Sequence, residues 1–161
     1  MKKILFILLL TITFQVVKAG DVIITANDLK WGDDNELVVC MTNENDVNGF
    51  QFDLFLPDGC YIMDKEKEEV QPVLSKRLKG MNVMCRALSG GKYRIVVFSM
   101  TGVKVVGQEG EIIRFPLKTI EKLSKGNYEV RISNISASVV IDNKMTSTKI
   151  PSSSAKIIVG L

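Results

Sequence analysis

Histidine is missing from all 161 residues of this chain. Its absence removes the commonest general base at neutral pH, every Ser-His or Cys-His nucleophile pair, and any imidazole-held zinc or copper. Cysteine is scarce: Cys40, Cys60 and Cys85 are too widely spaced for the paired ligands of a zinc site. No phosphate-cradling or dinucleotide fingerprint is present, since Gly102, Gly107 and Gly110 have neither the spacing nor the strand-to-helix context. The four prolines are scattered and mark no linker. No segment sustains a helical period and nothing repeats at a fixed interval. These absences argue against an enzyme and imply no cofactor.

The first nineteen residues read as a signal peptide. Lys2 and Lys3 form a basic start, Ile4 to Val17 a mostly apolar stretch, and Val17-Lys18-Ala19 a cleavage site before Gly20. A membrane span would need about 18 uninterrupted apolar residues, and Thr11, Thr13, Gln15 and Lys18 break the run. No cysteine precedes Cys40, so no lipid-attachment cysteine follows the leader. The expectation is an exported protein (periplasmic, cell-surface or secreted) with a single mature domain over 20–161 and no membrane insertion after cleavage. Loss of Lys2, Lys3 and Lys18 takes Lys+Arg from 21 to 18 against 18 acidic residues, so the net charge falls from +3 to zero. A neutral domain offers no electrostatic case for nucleic acid. An oxidising compartment permits one disulfide, with Cys60–Cys85 as the pairing to consider first. The simpler reading makes all three cysteines small core hydrophobes, because a core this size needs no staple.

What the chain does have is alternation. In Asn48-Gly49-Phe50-Gln51-Phe52-Asp53-Leu54-Phe55-Leu56-Pro57-Asp58-Gly59, residues Phe50, Phe52, Leu54 and Leu56 fall on one face, and Gln51, Asp53 and Phe55 on the other. Four large side chains on one side of a strand require a facing apolar layer about 10 Å away, hence a second sheet. Further strands are expected over 21–26, 36–42, 81–88, 93–100, 111–118, 127–135, 138–141 and 155–159, with Ser89-Gly90-Gly91-Lys92 as a hairpin turn. Single helical turns are conceivable at 75–79 and 120–124. Asp64 to Glu69 is a mixed-sign charge cluster read as a solvated excursion. About nine short strands with turn signals every 8–12 residues make an all-β, two-sheet sandwich.

Two carboxylates alone can run glycoside hydrolysis, but Asp33, Asp34, Glu36, Asp53 and Asp58 read as solvated turn or outer-face residues. Asn43, Asn45 and Asp46 offer oxygens to calcium without the ordered ligand spacing of an EF-hand. Trp31, Tyr61 and Tyr93 are candidates for an aromatic platform against sugar rings, although Trp31, two residues after Leu29, reads better as core. The outward row Gln51, Asp53 and Phe55 is the candidate partner-binding site, because an aromatic ring among polar side chains is what a protein contact patch presents.

The run from Asn48 to Gly59 resembles the third-strand region of cohesin-like domains in secreted proteins of Bacteroides-type bacteria. The resemblance continues through Ser75-Lys76-Arg77-Leu78, Gly91 to Met100, Gly110 to Leu117 and Gly126 to Ile135, in order and spacing across the expected mature chain. It implies a nine-stranded sandwich of jelly-roll topology, shared with carbohydrate-binding modules of cellulosomal scaffoldins. It implies a non-catalytic module that binds a dockerin-bearing protein in extracellular polysaccharide degradation. The partner would sit on a sheet face that includes Gln51 and Asp53. Direct binding of polysaccharide by the same fold is the alternative.

Overall fold

The computed structural model describes residues 22–32, 34–62 and 72–160. The expected signal peptide, Asp33 and the Asp64–Glu69 cluster lie outside the described residues. In chain order the strands are β1 (Val22–Ala26), β2 (Leu29–Lys30), β3 (Glu36–Asn43), β4 (Asp46–Phe55), β5 (Cys60–Tyr61), β6 (Val73–Leu74), β7 (Asn82–Leu88) and β8 (Lys92–Phe98). They continue as β9 (Glu111–Pro116), β10 (Lys118–Thr119), β11 (Gly126–Ile141), β12 (Lys144–Ile150) and β13 (Ser153–Val159). Nine of those described have five residues or more.

The strands form two main layers. A smaller antiparallel sheet has the order β1-β3-β9-β6. The larger runs β2-β13-β11-β4-β8-β7, with β12 paired to the distal half of β11, and β5 and β10 form a separate two-stranded piece. Phe50, Phe52, Leu54 and Leu56 all point into the core, as their alternation requires. Phe52 meets Phe115 of β9 edge to face, with ring centroids 6.5 Å apart and planes at 83°. This contact joins the two sheets, a favoured arrangement for aromatic pairs.

The structure bears out one conceivable helical turn and alters the expected element map in three further places. Ser75–Lys79 does contain a turn of 3-10 helix (Lys76–Leu78), capped by Ser75, whose Oγ accepts from the Arg77 N–H at 3.2 Å. Ile120–Ser124 is not helical; the Ile120 N–H donates instead to the Gly59 carbonyl. The strands expected at 127–135 and 138–141 are one continuous strand, β11. Its buried residues switch phase from Val130 and Ile132 to Ile135, Ala137 and Val139, because a bulge interrupts the register with β4 between Ser133 and Ser136. Strand β12, almost wholly exposed and polar, carries no alternation to announce it. It is created by the tight turn at Asp142 and Asn143, both at positive φ (48° and 59°), the backbone of a two-residue hairpin.

Gly49 is required for a different reason. A Cβ there would sit 2.9 Å from the Val97 carbonyl oxygen of β8. Gly49→Ala is therefore expected to push β4 and β8 apart and cost about 1–3 kcal/mol, as overpacking does. Equilibrium urea unfolding of the variant checks this.

Candidate functional site

The outward row of β4 lies on the solvent side of the larger sheet, flanked by β8 and β11. Register places Val96 and Ser136 beside Gln51, Arg94 and Ser133 beside Asp53, and Lys92 and Arg131 beside Phe55. Strand β7 extends the face, setting Met84 beside Val96, Arg86 beside Arg94 and Leu88 beside Lys92.

Gln51 is exposed, as expected of a contact residue. Asp53 is on the expected face but not solvated: it is 1% exposed. The Arg94 guanidinium covers it, donating from Nε to Oδ1 at 2.7 Å and from Nη2 to Oδ2 at 3.0 Å. The Asn134 side-chain amide donates to Oδ2 at 2.7 Å. The Arg94 bonds hold the Asp53 carboxyl below its ordinary value; burial opposes them, and Asn134 adds to them. Asp53 is thus a buried carboxylate kept ionised, the reverse of the raised pKa that a general acid needs. Phe55 is half-buried, with Lys92 Nζ 4.7 Å and Arg131 Cζ 4.6 Å from its ring centroid.

Arg94 and Asn134 were not singled out in the sequence, yet both left a trace there. Arg94 is the charged residue in the otherwise apolar run Tyr93-Arg94-Ile95-Val96-Val97-Phe98. Asn134 sits where the alternation of β11 slips, at φ 50°. Asparagine tolerates this left-handed conformation better than most residues and can spend its side chain on a local bond. Asn134→Gly is expected to preserve the bulge and lose only the bond to Asp53, whereas Asn134→Ala loses the bond and strains the backbone. The alanine variant should be the less stable of the two, by about 1 kcal/mol, in parallel thermal melts.

The other candidate residues are placed elsewhere. Asn43 is buried, accepting from Arg77 Nη2 at 2.7 Å and donating to the Asn45 carbonyl at 3.0 Å, and Asp46 pairs with Lys104. Their oxygens are engaged by cations of the protein. Glu36 pairs with Arg114 at 3.4 Å, and Asp34 and Asp58 are exposed. Tyr93 is core, 6% exposed, with its hydroxyl accepting from the Ile62 N–H, so it leaves the aromatic platform. Trp31 and Tyr61 are half-buried and pack against the core. The cysteines are free thiols: Cys60 is buried, and Cys40 and Cys85 are half-buried. The Cys60–Cys85 disulfide is therefore absent, and burial pushes the Cys85 thiol up to about 12.

No protein-family model matches the sequence, and no curated protein is significantly similar to it. Solved structures are similar in fold. A non-cellulosomal cohesin from the hyperthermophilic archaeon Archaeoglobus fulgidus aligns over 88% of this chain and 93% of its own, with TM-score 0.65 and 12% identity. The seventh ScaB type I cohesin from Pseudobacteroides cellulosolvens aligns over 87% and 94%, with TM-score 0.64 and 16% identity. The sixth cohesin of scaffoldin B from Acetivibrio cellulolyticus, solved in complex with a Cel5 dockerin mutant, aligns over 86% and 99%, with TM-score 0.65 and 11% identity. At these identities the likeness is one of architecture, and by architecture the chain is a cohesin-like domain.

Proposed function

We propose that this protein is a non-catalytic module that binds a dockerin-type protein domain on the outer face of its larger sheet. The setting we propose is an exported assembly that degrades polysaccharide outside the cytoplasm. The observation that carries the reading is the organised state of that face. Asp53, bound by Arg94 and Asn134 from the two neighbouring strands, fixes their side chains around an exposed Gln51 and a half-buried Phe55. A rigid face with a few fixed side chains lowers the ordering cost of association. The cohesin likeness supports the class of partner, since the Acetivibrio cellulolyticus relative was solved with a dockerin. Gln51 and Phe55 are the contact residues in this reading, and Asp53 positions its neighbours.

The experiment is capture on immobilised domain from extracts of the source organism, with Gln51→Ala beside the wild type. Gln51 is exposed, so the variant leaves the core untouched. The expected result is retention of a protein carrying a dockerin-type domain, markedly reduced with Gln51→Ala. Retention of polysaccharide with no specific protein would instead establish the direct glycan-binding alternative and overturn the reading.

A further inference from the structure

The outer face divides along its strands by chemistry. At one end Arg86 of β7, Lys92 and Arg94 of β8 and Arg131 of β11 form a belt across the sheet in two adjacent rungs, with Asp53 and Phe55 between them. Asp53 is ion-paired with Arg94 and also feels the charge of Lys92, so one carboxylate faces four cations of the belt. Arg86 has no ion pair or hydrogen bond among the described residues and stands directly across from Arg94. Like charges directly opposed on a sheet are destabilising. The expected mature chain is neutral overall, so this concentration of positive charge is local to the face. The next rungs change character: Met84, 60% exposed, lies beside Val96, and Phe98 follows, both half-buried.

From this juxtaposition we infer that the face selects an acidic protein surface, one that sets carboxylates over Arg86, Lys92, Arg94 and Arg131 and an apolar ridge over Met84, Val96 and Phe98. The inference deepens the protein-binding reading and rests on it. Carboxylates placed over the belt would relieve the Arg86–Arg94 opposition and steer the encounter. The apolar rungs supply the water-excluding contact that charge alone does not. An anionic polysaccharide is disfavoured because the ring of Phe55 is flanked by Lys92 and Arg131 from the neighbouring strands and offers no open aromatic face to a sugar. Exposed Met84 likewise has nothing to gain from a hydroxylated chain.

The test is titration of the isotope-labelled domain with three probes, following backbone amide shifts. Two are amphipathic helical peptides with the same leucine spacing, one faced with glutamate and one with lysine. The third is an oligomer of polygalacturonate. The expected result is that the glutamate-faced peptide shifts amides of β4, β7, β8 and β11 and binds about tenfold or more tighter than the lysine-faced one. Binding should weaken as salt is raised. The double variant Arg86→Glu, Arg131→Glu should reverse the preference, and Met84→Ser should weaken both peptides. Equal binding of the two peptides, or none by either, overturns the acidic-partner inference while the capture experiment still decides the protein-binding reading. Tighter binding by polygalacturonate on the same amides, unaffected by Met84→Ser, overturns both.

Discussion

Replacing Arg77 with methionine is expected to lower the unfolding free energy by about 3 kcal/mol. The reason is the number of groups that converge on it. From the 3-10 turn, Arg77 donates from Nε to the Val106 carbonyl at 2.8 Å, and from Nη1 to the carbonyls of Met41 and Gly110 at 2.7 and 2.9 Å. Its Nη2 donates to Asn43 Oδ1 at 2.7 Å and to the Gly107 carbonyl at 3.1 Å. Four of the five acceptors are backbone carbonyls at the junction of β3 with the Gly-punctuated Ser99–Gly110 connection. That connection contributes Val105 to the core but forms no strand of its own; backbone bonds satisfy part of it, as from the Met41 N–H to the Gly110 carbonyl, while the Val106 and Gly107 carbonyls are bonded by Arg77. A methionine keeps the stem and removes every donor. Where water reaches the freed carbonyls the penalty is relieved, which keeps the figure below the sum of five bonds. Arg77→Lys should recover a minority of the loss, because one ammonium with three donors cannot reach acceptors spread around a planar fork. Urea unfolding of the three proteins at neutral pH measures the series. Hydrogen exchange should locate the damage in 99–110 and not in β11.

The same residue shows where reading the sequence reached its limit. Ser75 to Lys79 reads as either a single helical turn or a loop, and Lys76–Leu78 is a 3-10 turn, since serine capping and a buried Leu78 are local features. Nothing local says that Arg77 will bond to residues more than thirty positions away. The sandwich itself was legible because alternation is a direct imprint of a half-buried strand: Phe50, Phe52, Leu54 and Leu56 could face only one way. Alternation failed at β11, where a bulge shifts the phase and one strand reads as two. It also failed at β12, which buries too little to need a pattern. At the candidate site, period two correctly put Gln51, Asp53 and Phe55 on one face. It could not distinguish an outward residue in water from one covered by the side chains of neighbouring strands. Asp53 is the second kind, because its partners Arg94 and Asn134 lie 41 and 81 positions further along the chain.

Asp53 should leave its signature in acid. Its folded pKa is depressed, chiefly by the paired hydrogen bonds from Arg94, so the unfolded state binds the proton more tightly than the folded one. The stabilisation is therefore complete above the unfolded carboxyl range, near pH 4. It is lost as the pH falls through the lower folded value, when the protonated acid can no longer accept from the guanidinium on both oxygens. Asp53→Asn removes the charge at every pH while keeping the shape. It is expected to cost about 2 kcal/mol at pH 7, and the gap to wild type should close progressively below pH 4. Arg94→Met tests the other half of the pair. It leaves a carboxylate stripped of water with only Asn134 to bond it, and an unpaired buried charge is worse than none. That variant should be the less stable of the two at neutral pH, and its onset of acid unfolding should move to higher pH as the Asp53 carboxyl rises. Urea midpoints of the three proteins across the acid range measure this. A constant gap between wild type and Asp53→Asn down to the acid limit would show that the carboxylate is not held ionised by Arg94. Because Arg94 is itself 46% exposed, its cover over Asp53 is one side chain thick. A partner seated on the face would stabilise the wild type and any variant that still binds it by mass action, so the comparison that isolates the Asp53–Arg94 pair is the one made on the free domain.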